Sequence, residues 1–266
     1  MSVALVLLVT AAVARANDWR DITNGSVIPD DNYSDMPYVV TLNDGSWLAT
    51  LTTGPGAEGS IGQHVVSSTS TDQGQTWTPL VDIEPSVSNL HAESSWVVPL
   101  HVPALGDSNT GRVFGFYTYN GNNLGVGRSD TVGWFAFKYS DDGGQTWSND
   151  RYRVPVPYSE IDLNNDLTGL PGAPHLKGWG VSKPIVKDGQ VHIGFTKVRS
   201  GLVNGGEGWV FTSPNLLTEP DPSKITWTFA ADPNDGNPNV YATNAPTQTE
   251  ATWTGLRNPK HGSAQE

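Results

Sequence analysis

"STDQGQTW", residues 70–77, occurs almost unchanged a second time as "SDDGGQTW", residues 140–147. The tryptophans that close the two octets, Trp77 and Trp147, are 147 − 77 = 70 residues apart. A polar, glycine-centred segment of this kind is typical of a turn rather than of a helix or strand. Its return at such a spacing indicates a repeated supersecondary unit.

The same order of predicted strands precedes each octet. Short runs rich in Val, Thr, Trp, Tyr and Phe, such as "GSWLATL" and "GWFAFKYS", are bounded by turn pairs such as Asp188-Gly189 and predict β-strands. A degenerate third octet runs from Ser213 to Trp227. Each unit is predicted to be a four-stranded meander, and its repetition indicates an all-β protein of the β-propeller type. The predicted blades span about residues 30–80, 92–150 and 180–230, and a fourth blade starts at 257–266.

The pattern S-x-D-x-G-x-T-W resembles the Asp-box of the sialidase (neuraminidase), or BNR-repeat, superfamily. The resemblance implies a sialidase-type propeller of six or seven blades, of which about three blades and one further strand are expected here, as part of a longer parent. It also implies a glycosidase whose boxes lie on the face away from the active site. The matching positions are Ser70, Asp72, Gly74, Thr76 and Trp77, and again Ser140, Asp142, Gly144, Thr146 and Trp147.

The residues of the octet favour a structural role over a metal site. Ser and Asp side chains satisfy backbone N–H groups of their own turn, Gly permits a left-handed backbone, and Trp packs between sheets. A calcium loop needs several converging oxygen ligands, whereas "STDQGQTW" contains a single acid. The histidines at 91, 101, 175 and 192 lack the spacing of metal ligands. No metal and no cofactor is predicted.

The opposite end of the predicted sheets is the candidate active-site mouth. In an up-and-down meander, the start of the first strand and the loop between strands two and three lie away from the octet. This geometry nominates His64, Tyr119 and Asp35 for proton transfer. It also nominates, for substrate binding, Glu93, Asn120, Arg128, Lys183, Lys197 and His261, with Thr53, Asn122, Arg199, Glu207 and Glu266 at the same end.

Each of these residues has an alternative, purely structural interpretation. His64 could be a general base or a structurally hydrogen-bonded histidine, and Tyr119 could be an acid or a ring that only lines the mouth. Arg128 and Lys183 could pair with a substrate carboxylate or remain solvated charges. Asp35 could serve in acid–base catalysis or cap a turn.

The stretch Asp35-Met36-Pro37 departs from the resembling family, where an arginine opens an "R-I-P" motif that holds the carboxylate of sialic acid. An acid at this position would repel that carboxylate at short range.

The predicted function is that of an exo-sialidase-type hydrolase that cleaves glycosidic bonds of an acidic glycan. Two alternatives stay open: a polysaccharide lyase or rhamnosidase-type enzyme acting on a uronate-containing polysaccharide, and a glycan-binding propeller without catalysis.

Composition restricts the partners and the compartment. The chain of 266 residues has a net charge of −12, which argues against nucleic acid and anionic membrane surfaces and leaves an oligo- or polysaccharide as the expected partner. An apolar run from Val3 to Val13 ends before a small-residue cleavage site after Ala16, which predicts a signal peptide over residues 1–16 and a secreted or periplasmic propeller over 17–266. The run is too short for membrane insertion. The absence of cysteine leaves the core and backbone pairing to stabilise the fold, and the oligomeric state is left open.

Overall fold

The computed structural model describes residues 21–87, 89–158, 160–163, 176–198 and 206–231. These residues form three antiparallel sheets, each a consecutive meander, which confirms the all-β, propeller-type prediction. The predicted signal peptide and the predicted start of a fourth blade lie outside the described residues. None of the helices in the described ranges is long and apolar enough to cross a membrane.

Strands follow one another in chain order within each blade. Blade one contains β1 (Tyr33–Thr41), β2 (Trp47–Gly54), β3 (His64–Ser70) and β4 (Val81–Glu84); blade two contains β5 (Ser94–Val102), β6 (Arg112–Tyr119), β7 (Trp134–Ser140) and β8 (Tyr152–Arg153). Blade three has β10 (Ile185–Lys187), β11 (Gln190–Val198), β12 (Gly206–Ser213) and β13 (Thr228–Ala231), and β9 (Gly178–Trp179) pairs with β11 as an additional strand. The described helical segments are one turn of α-helix, α1 (Glu160–Leu163), and 3₁₀ turns at Ile22–Asn24, Ser129–Thr131 and Pro222–Lys224.

The first octet is a turn that satisfies its own polar groups. Ser70 Oγ donates to Asp72 Oδ1 at 2.7 Å and accepts from the Gly74 N–H at 2.8 Å. Asp72 accepts from the Thr76 N–H at 2.8 Å and from its hydroxyl at 2.6 Å. These hydrogen bonds from Thr76 lower the pKa of Asp72 to about 2. Gly74 has a φ of 83°, a left-handed conformation that glycine adopts without strain.

The second octet repeats this arrangement, and the third adapts it. Asp142 accepts from the Thr146 N–H at 2.9 Å and from its hydroxyl at 2.6 Å. In the third turn Asn215 replaces the aspartate, and its amide oxygen accepts from the Thr226 N–H at 2.9 Å across an insertion. The structural role predicted for the octet is therefore visible in all three blades.

Neighbouring blades pack through two kinds of interface. Blades two and three share an aromatic core in which Phe135 contacts Phe195 at 5.0 Å between ring centroids. Between blades one and two, Glu84 accepts from the Tyr117 hydroxyl at 2.6 Å and from two nitrogens of Arg151 at 2.6 and 2.7 Å. Trp147, which closes the second octet, donates its indole N–H to Ser67 of blade one at 2.9 Å.

Strand register places one set of loops opposite the octets. The pairs farthest from the octets are Tyr33 with Gly54 in blade one, Ser94 with Tyr119 in blade two, and Val198 with Gly206 in blade three. We call this end of the three sheets the mouth end.

Candidate functional site

The first strands of blades one and two are both interrupted by a β-bulge near the mouth end. Pairing shifts between Asp35 and Tyr38 in β1, and at the corresponding place, after Ser95, in β5. Within these bulges Met36 and Trp96 have φ values of 49° and 56°. Left-handed conformations cost free energy in residues other than glycine, and bulges often redirect side chains beside functional sites. The two bulges therefore mark the mouth end as a candidate site.

An ion triplet joins blades one and two at this end. Arg128, in the β6–β7 loop, donates from Nη2 to Glu58 Oε1 at 3.0 Å, and Glu58 belongs to the β2–β3 loop. The same guanidinium forms a two-point pair with Asp130, from Nε to Oδ1 at 3.0 Å and from Nη2 to Oδ2 at 2.9 Å. The Asp130 side chain is fully buried, while those of Arg128 and Glu58 are 36% and 39% exposed. The triplet thus presents Glu58 and one side of Arg128 to solvent.

Tyr33 and Asp35 stand beside this triplet at the start of β1. Burial raises the pKa of the Tyr33 phenol, and the hydrogen bond to Asp35 and the negative charges of Asp35, Glu58 and Asp130 raise it further. Tyr33 therefore keeps its proton and donates a hydrogen bond to the Asp35 carboxyl group. Asp35 Oδ1 is buried and has no hydrogen-bond partner among the described residues. Such an oxygen is uncommon in folded proteins and is a frequent feature of functional sites.

The Glu58 carboxyl group has an altered pKa. Burial raises its pKa, the Arg128 charge opposes the rise, and the charges of Asp130 and Asp35 add to it. The resulting pKa lies above the usual value for glutamate. A carboxyl group with a raised pKa in a cluster of other acidic groups is an arrangement that general acid catalysis uses.

Two tryptophans form an aromatic wall next to the charged groups. Trp96 and Trp179 meet edge to face with ring centroids 5.8 Å apart, and the Arg128 guanidinium lies 5.9 Å from the Trp96 ring centroid. Trp96 is buried, whereas Trp179, on β9 of blade three, is half-exposed. We call the set Tyr33, Asp35, Glu58, Trp96, Arg128, Asp130 and Trp179 the mouth group.

Comparison with solved structures agrees with this architecture. A Hadza microbial sialidase superposes with a TM-score of 0.50 at 19% identity, over 74% of this chain and 37% of its own. The chain has a β-propeller fold like that of this sialidase. At this level of identity the likeness is one of fold, and this chain spans well under two thirds of the length of that sialidase.

Other structures related to the propeller match with lower TM-scores. An α-L-arabinofuranosidase from Fusarium graminearum gives a TM-score of 0.44 at 16% identity, over 77% of this chain and 51% of its own. An intramolecular trans-sialidase from Ruminococcus gnavus gives 0.42 at 14% identity, over 80% and 62%. No protein-family model matches the sequence, and no curated protein matches it.

Two of the predicted site residues belong to the mouth group of this propeller. Asp35 and Arg128 both lie within electrostatic range of Glu58. Glu93 and Asn120 lie beneath it: both are buried, and the Asn120 amide donates to Glu93 Oε2 at 3.3 Å and to the Leu124 carbonyl at 3.1 Å. These two residues shape the loop that leads to Arg128 and have almost no surface with which to contact a glycan.

His64 and Tyr119 have other neighbours. The Nε2 atom of His64 is 3.5 Å from carboxylate oxygens of both Asp31 and Asp82, the latter on the edge strand β4. The Arg151 guanidinium covers the Tyr119 ring at 3.6 Å from its centroid, and burial raises the pKa of the phenol. A raised pKa is the opposite of what an activated tyrosine nucleophile needs.

The two predicted lysines are engaged within the protein. Lys183 Nζ donates to the Val39 carbonyl at 2.6 Å and links blade three to blade one. Lys197 is fully buried, bonded to Asp162 and 4.2 Å from the Trp209 ring centroid. Burial lowers the pKa of Lys197. His261 lies outside the described residues, as do Arg199 and Glu266.

Most of the mouth group was not predicted from the sequence. Glu58 lies in "GPGAEGS", the β2–β3 loop, and Asp130 follows Arg128 in the β6–β7 loop. Both loops connect the second and third strands of a blade, and the strand geometry predicted such loops at the mouth end. Considering every acidic residue of these loops would therefore have identified Glu58 and Asp130. Tyr33, Trp96 and Trp179 carried no such signal.

Across the described ranges no group of three or more His, Cys, Asp or Glu side chains is arranged to hold a metal ion.

Proposed function

We propose that the protein is a glycoside hydrolase whose active site is the mouth group. The observation that carries the proposal is the pairing of two carboxyl groups in different environments, Glu58 with a raised pKa and Asp35 with an unpartnered buried oxygen. Most glycoside hydrolases use two carboxyl groups in this way, one as acid and the other as nucleophile or base. The fold alone does not determine this chemistry, and sialidases themselves use a tyrosine nucleophile, so the assignment rests on the two carboxyl groups.

Glu58 is assigned the role of general acid. Its proton passes to the glycosidic oxygen as the bond from that oxygen to the anomeric carbon breaks, so the leaving group departs as a neutral alcohol. Arg128, paired with the same carboxyl at 3.0 Å, stabilises the carboxylate that this step leaves behind.

Asp35 is assigned the role of the second carboxylate. It either attacks the anomeric carbon, giving a glycosyl-enzyme that water then hydrolyses, or removes a proton from the water that attacks directly. In both cases the oxygen of water and one of its protons become the new hydroxyl on the anomeric carbon. The other proton returns Glu58 to its acid form, directly when the glycosyl-enzyme is hydrolysed, and through Asp35 and exchange with solvent when water attacks directly, so Asp35 ends as a carboxylate. Tyr33 positions Asp35 through its hydroxyl.

The finer predictions from the sequence remain proposals. Export belongs to this class, whereas Glu58 and Asp35 take the proton-transfer roles that the sequence offered to His64 and Tyr119, and the acidic glycan of sialidase-type hydrolysis is replaced by the inference in the next subsection. A non-catalytic glycan-binding propeller is the second candidate, and the half-exposed Trp179 beside polar groups supports it, because tryptophan rings stack on sugars.

The test is turnover of a panel of alkyl glycosides by the wild-type chain and by two isosteric variants, Glu58→Gln and Asp35→Asn. We expect each variant to lose at least about a hundredfold in kcat, the usual contribution of a general acid or base. Glu219→Gln is the matched control, since Glu219 lies at the octet end and caps the Asp221 N–H at 3.0 Å. Glycan binding without turnover would favour the binding module, and turnover that survives both variants would contradict the assignment.

A further inference from the structure

We propose that the mouth group accepts an uncharged glycosyl unit and discriminates against one that carries a carboxylate. This inference rests on the proposed function, because it concerns the sugar bound at the same site. The uncharged sugar replaces the acidic glycan that the sequence predicted. The reason is that the cations of the mouth end already have partners within the protein.

Arg128 has little capacity left for a substrate anion. A guanidinium binds a carboxylate most strongly through two parallel N–H donors. The Nε and Nη2 edge of Arg128 is occupied in this way by Asp130, and Nη2 also serves Glu58. Hydrogen bonding to Asp130 raises the pKa of Arg128, which shows how strongly its charge is compensated. A sugar carboxylate would have to displace a fully buried aspartate to gain the same contact.

The described lysines near this end also have interaction partners within the protein. Lys177 is buried and lies within electrostatic range of Asp130 and Arg128, and burial lowers its pKa. Lys183 and Lys197 bond to Val39 and Asp162 respectively. The three cations that the sequence assigned to an anionic sugar, Arg128, Lys183 and Lys197, therefore all have intramolecular partners.

The acidic groups of the mouth suit hydroxyl groups instead. Glu58, whose side chain is 39% exposed, presents carboxyl oxygens to which a sugar hydroxyl can donate. Glu58 and Asp35 would repel a second carboxylate at short range, whereas they accept hydrogen bonds from neutral hydroxyls. Trp179 supplies a half-exposed ring on which an uncharged sugar face can stack.

Direct binding tests the inference without requiring turnover. Methyl glycosides of galactose, xylose and arabinose, and as anionic probes methyl glucuronide and N-acetylneuraminic acid, are titrated into the full chain and followed by calorimetry or ligand-observed NMR. We expect at least one neutral glycoside to bind about tenfold or more tightly than both anions. Equal or tighter binding of an anion overturns the inference, and so does failure of all neutral probes to bind. Neutral binding without hydrolysis contradicts the proposed hydrolase and leaves the choice of sugar standing.

A charge-neutralising variant tests the cause. Asp130→Asn should release the two-point edge of Arg128 and improve the affinity for methyl glucuronide by about tenfold. The matched control is Asp141→Asn, because Asp141 forms the same two-point pair with Arg112, at 2.7 and 2.8 Å, away from the mouth group. If Asp130→Asn does not fold, the more exposed Glu58→Gln should give a smaller gain in the same direction. No gain in either variant, or an equal gain in the control, overturns the explanation.

Discussion

Glu58 and Arg128 come from loops of different blades and meet in an ion pair of 3.0 Å at the mouth end. The pair ties the candidate acid of blade one to the β6–β7 loop of blade two. The pKa of Glu58 reflects two opposing effects: burial raises it and the Arg128 charge lowers it. The protonation of Glu58 is therefore adjustable by changing Arg128 alone.

Replacing Arg128 with Gln should shift the pH dependence of catalysis. Loss of the cation favours the neutral form of Glu58, so its pKa rises further. The limb of the kcat/KM profile on which the acid loses its proton should therefore move to higher pH. An unchanged or acid-shifted limb would contradict the pairing.

Replacing Tyr33 with Phe should slow turnover without unfolding the protein. The hydroxyl donates a hydrogen bond to the Asp35 carboxyl group and holds it in place. Without this bond kcat should fall roughly tenfold while KM stays near the wild-type value, because Asp35 acts on the reacting carbon or on the attacking water. Since Tyr33 is a positioning residue, this split between kcat and KM is the diagnostic readout, and a rise in KM with kcat unchanged argues against the role.

Replacing Glu84 with Gln should destabilise the interface of blades one and two. Burial alone would raise the pKa of Glu84, but the hydrogen bonds from Arg151 and Tyr117 outweigh it and leave the pKa below the usual value. The ionised Glu84 carboxylate therefore stabilises the fold fully at pH values above the pKa that Glu84 has in the unfolded chain. This stabilisation is lost as the pH falls through the lower pKa that Glu84 has in the folded protein. We expect urea unfolding at neutral pH to show a loss of about 2 to 3 kcal/mol, reduced from the fully buried case because Arg151 is partly exposed. A difference that persists unchanged at low pH would contradict this cause.

Replacing Asp142 should distinguish hydrogen bonding from charge in the octet. Asp142→Ala removes the acceptor for Thr146 and should cost about 1 to 3 kcal/mol. Asp142→Asn should cost less, because Asn215 performs the same task in blade three with an amide oxygen. Thermal unfolding of the two variants measures the difference, and equal losses would show that the charge is what matters.

The sequence predicted the fold because its signals are local. Each octet contains the donors and acceptors of its own turn. Asp72, for example, accepts a hydrogen bond from Thr76, only four residues further along the chain. The mouth group depends on long-range placement instead. Arg128 has a left-handed backbone with a φ of 61°, and its partner Glu58 lies 70 residues away. The same reasoning explains Lys197, whose burial beside Asp162 depends on how α1 packs against β11, which the spacing of residues does not reveal.

The central claim, that Glu58 is the general acid of a glycoside hydrolase, is tested most directly by how the Glu58→Gln variant depends on the leaving group. A 2,4-dinitrophenyl glycoside needs no protonation to depart, whereas an alkyl glycoside does. We predict that the variant hydrolyses the dinitrophenyl substrate at close to the wild-type rate and loses at least about a hundredfold on the alkyl substrate. An equal loss on both substrates, or no loss on the alkyl glycoside, would contradict the assignment of Glu58.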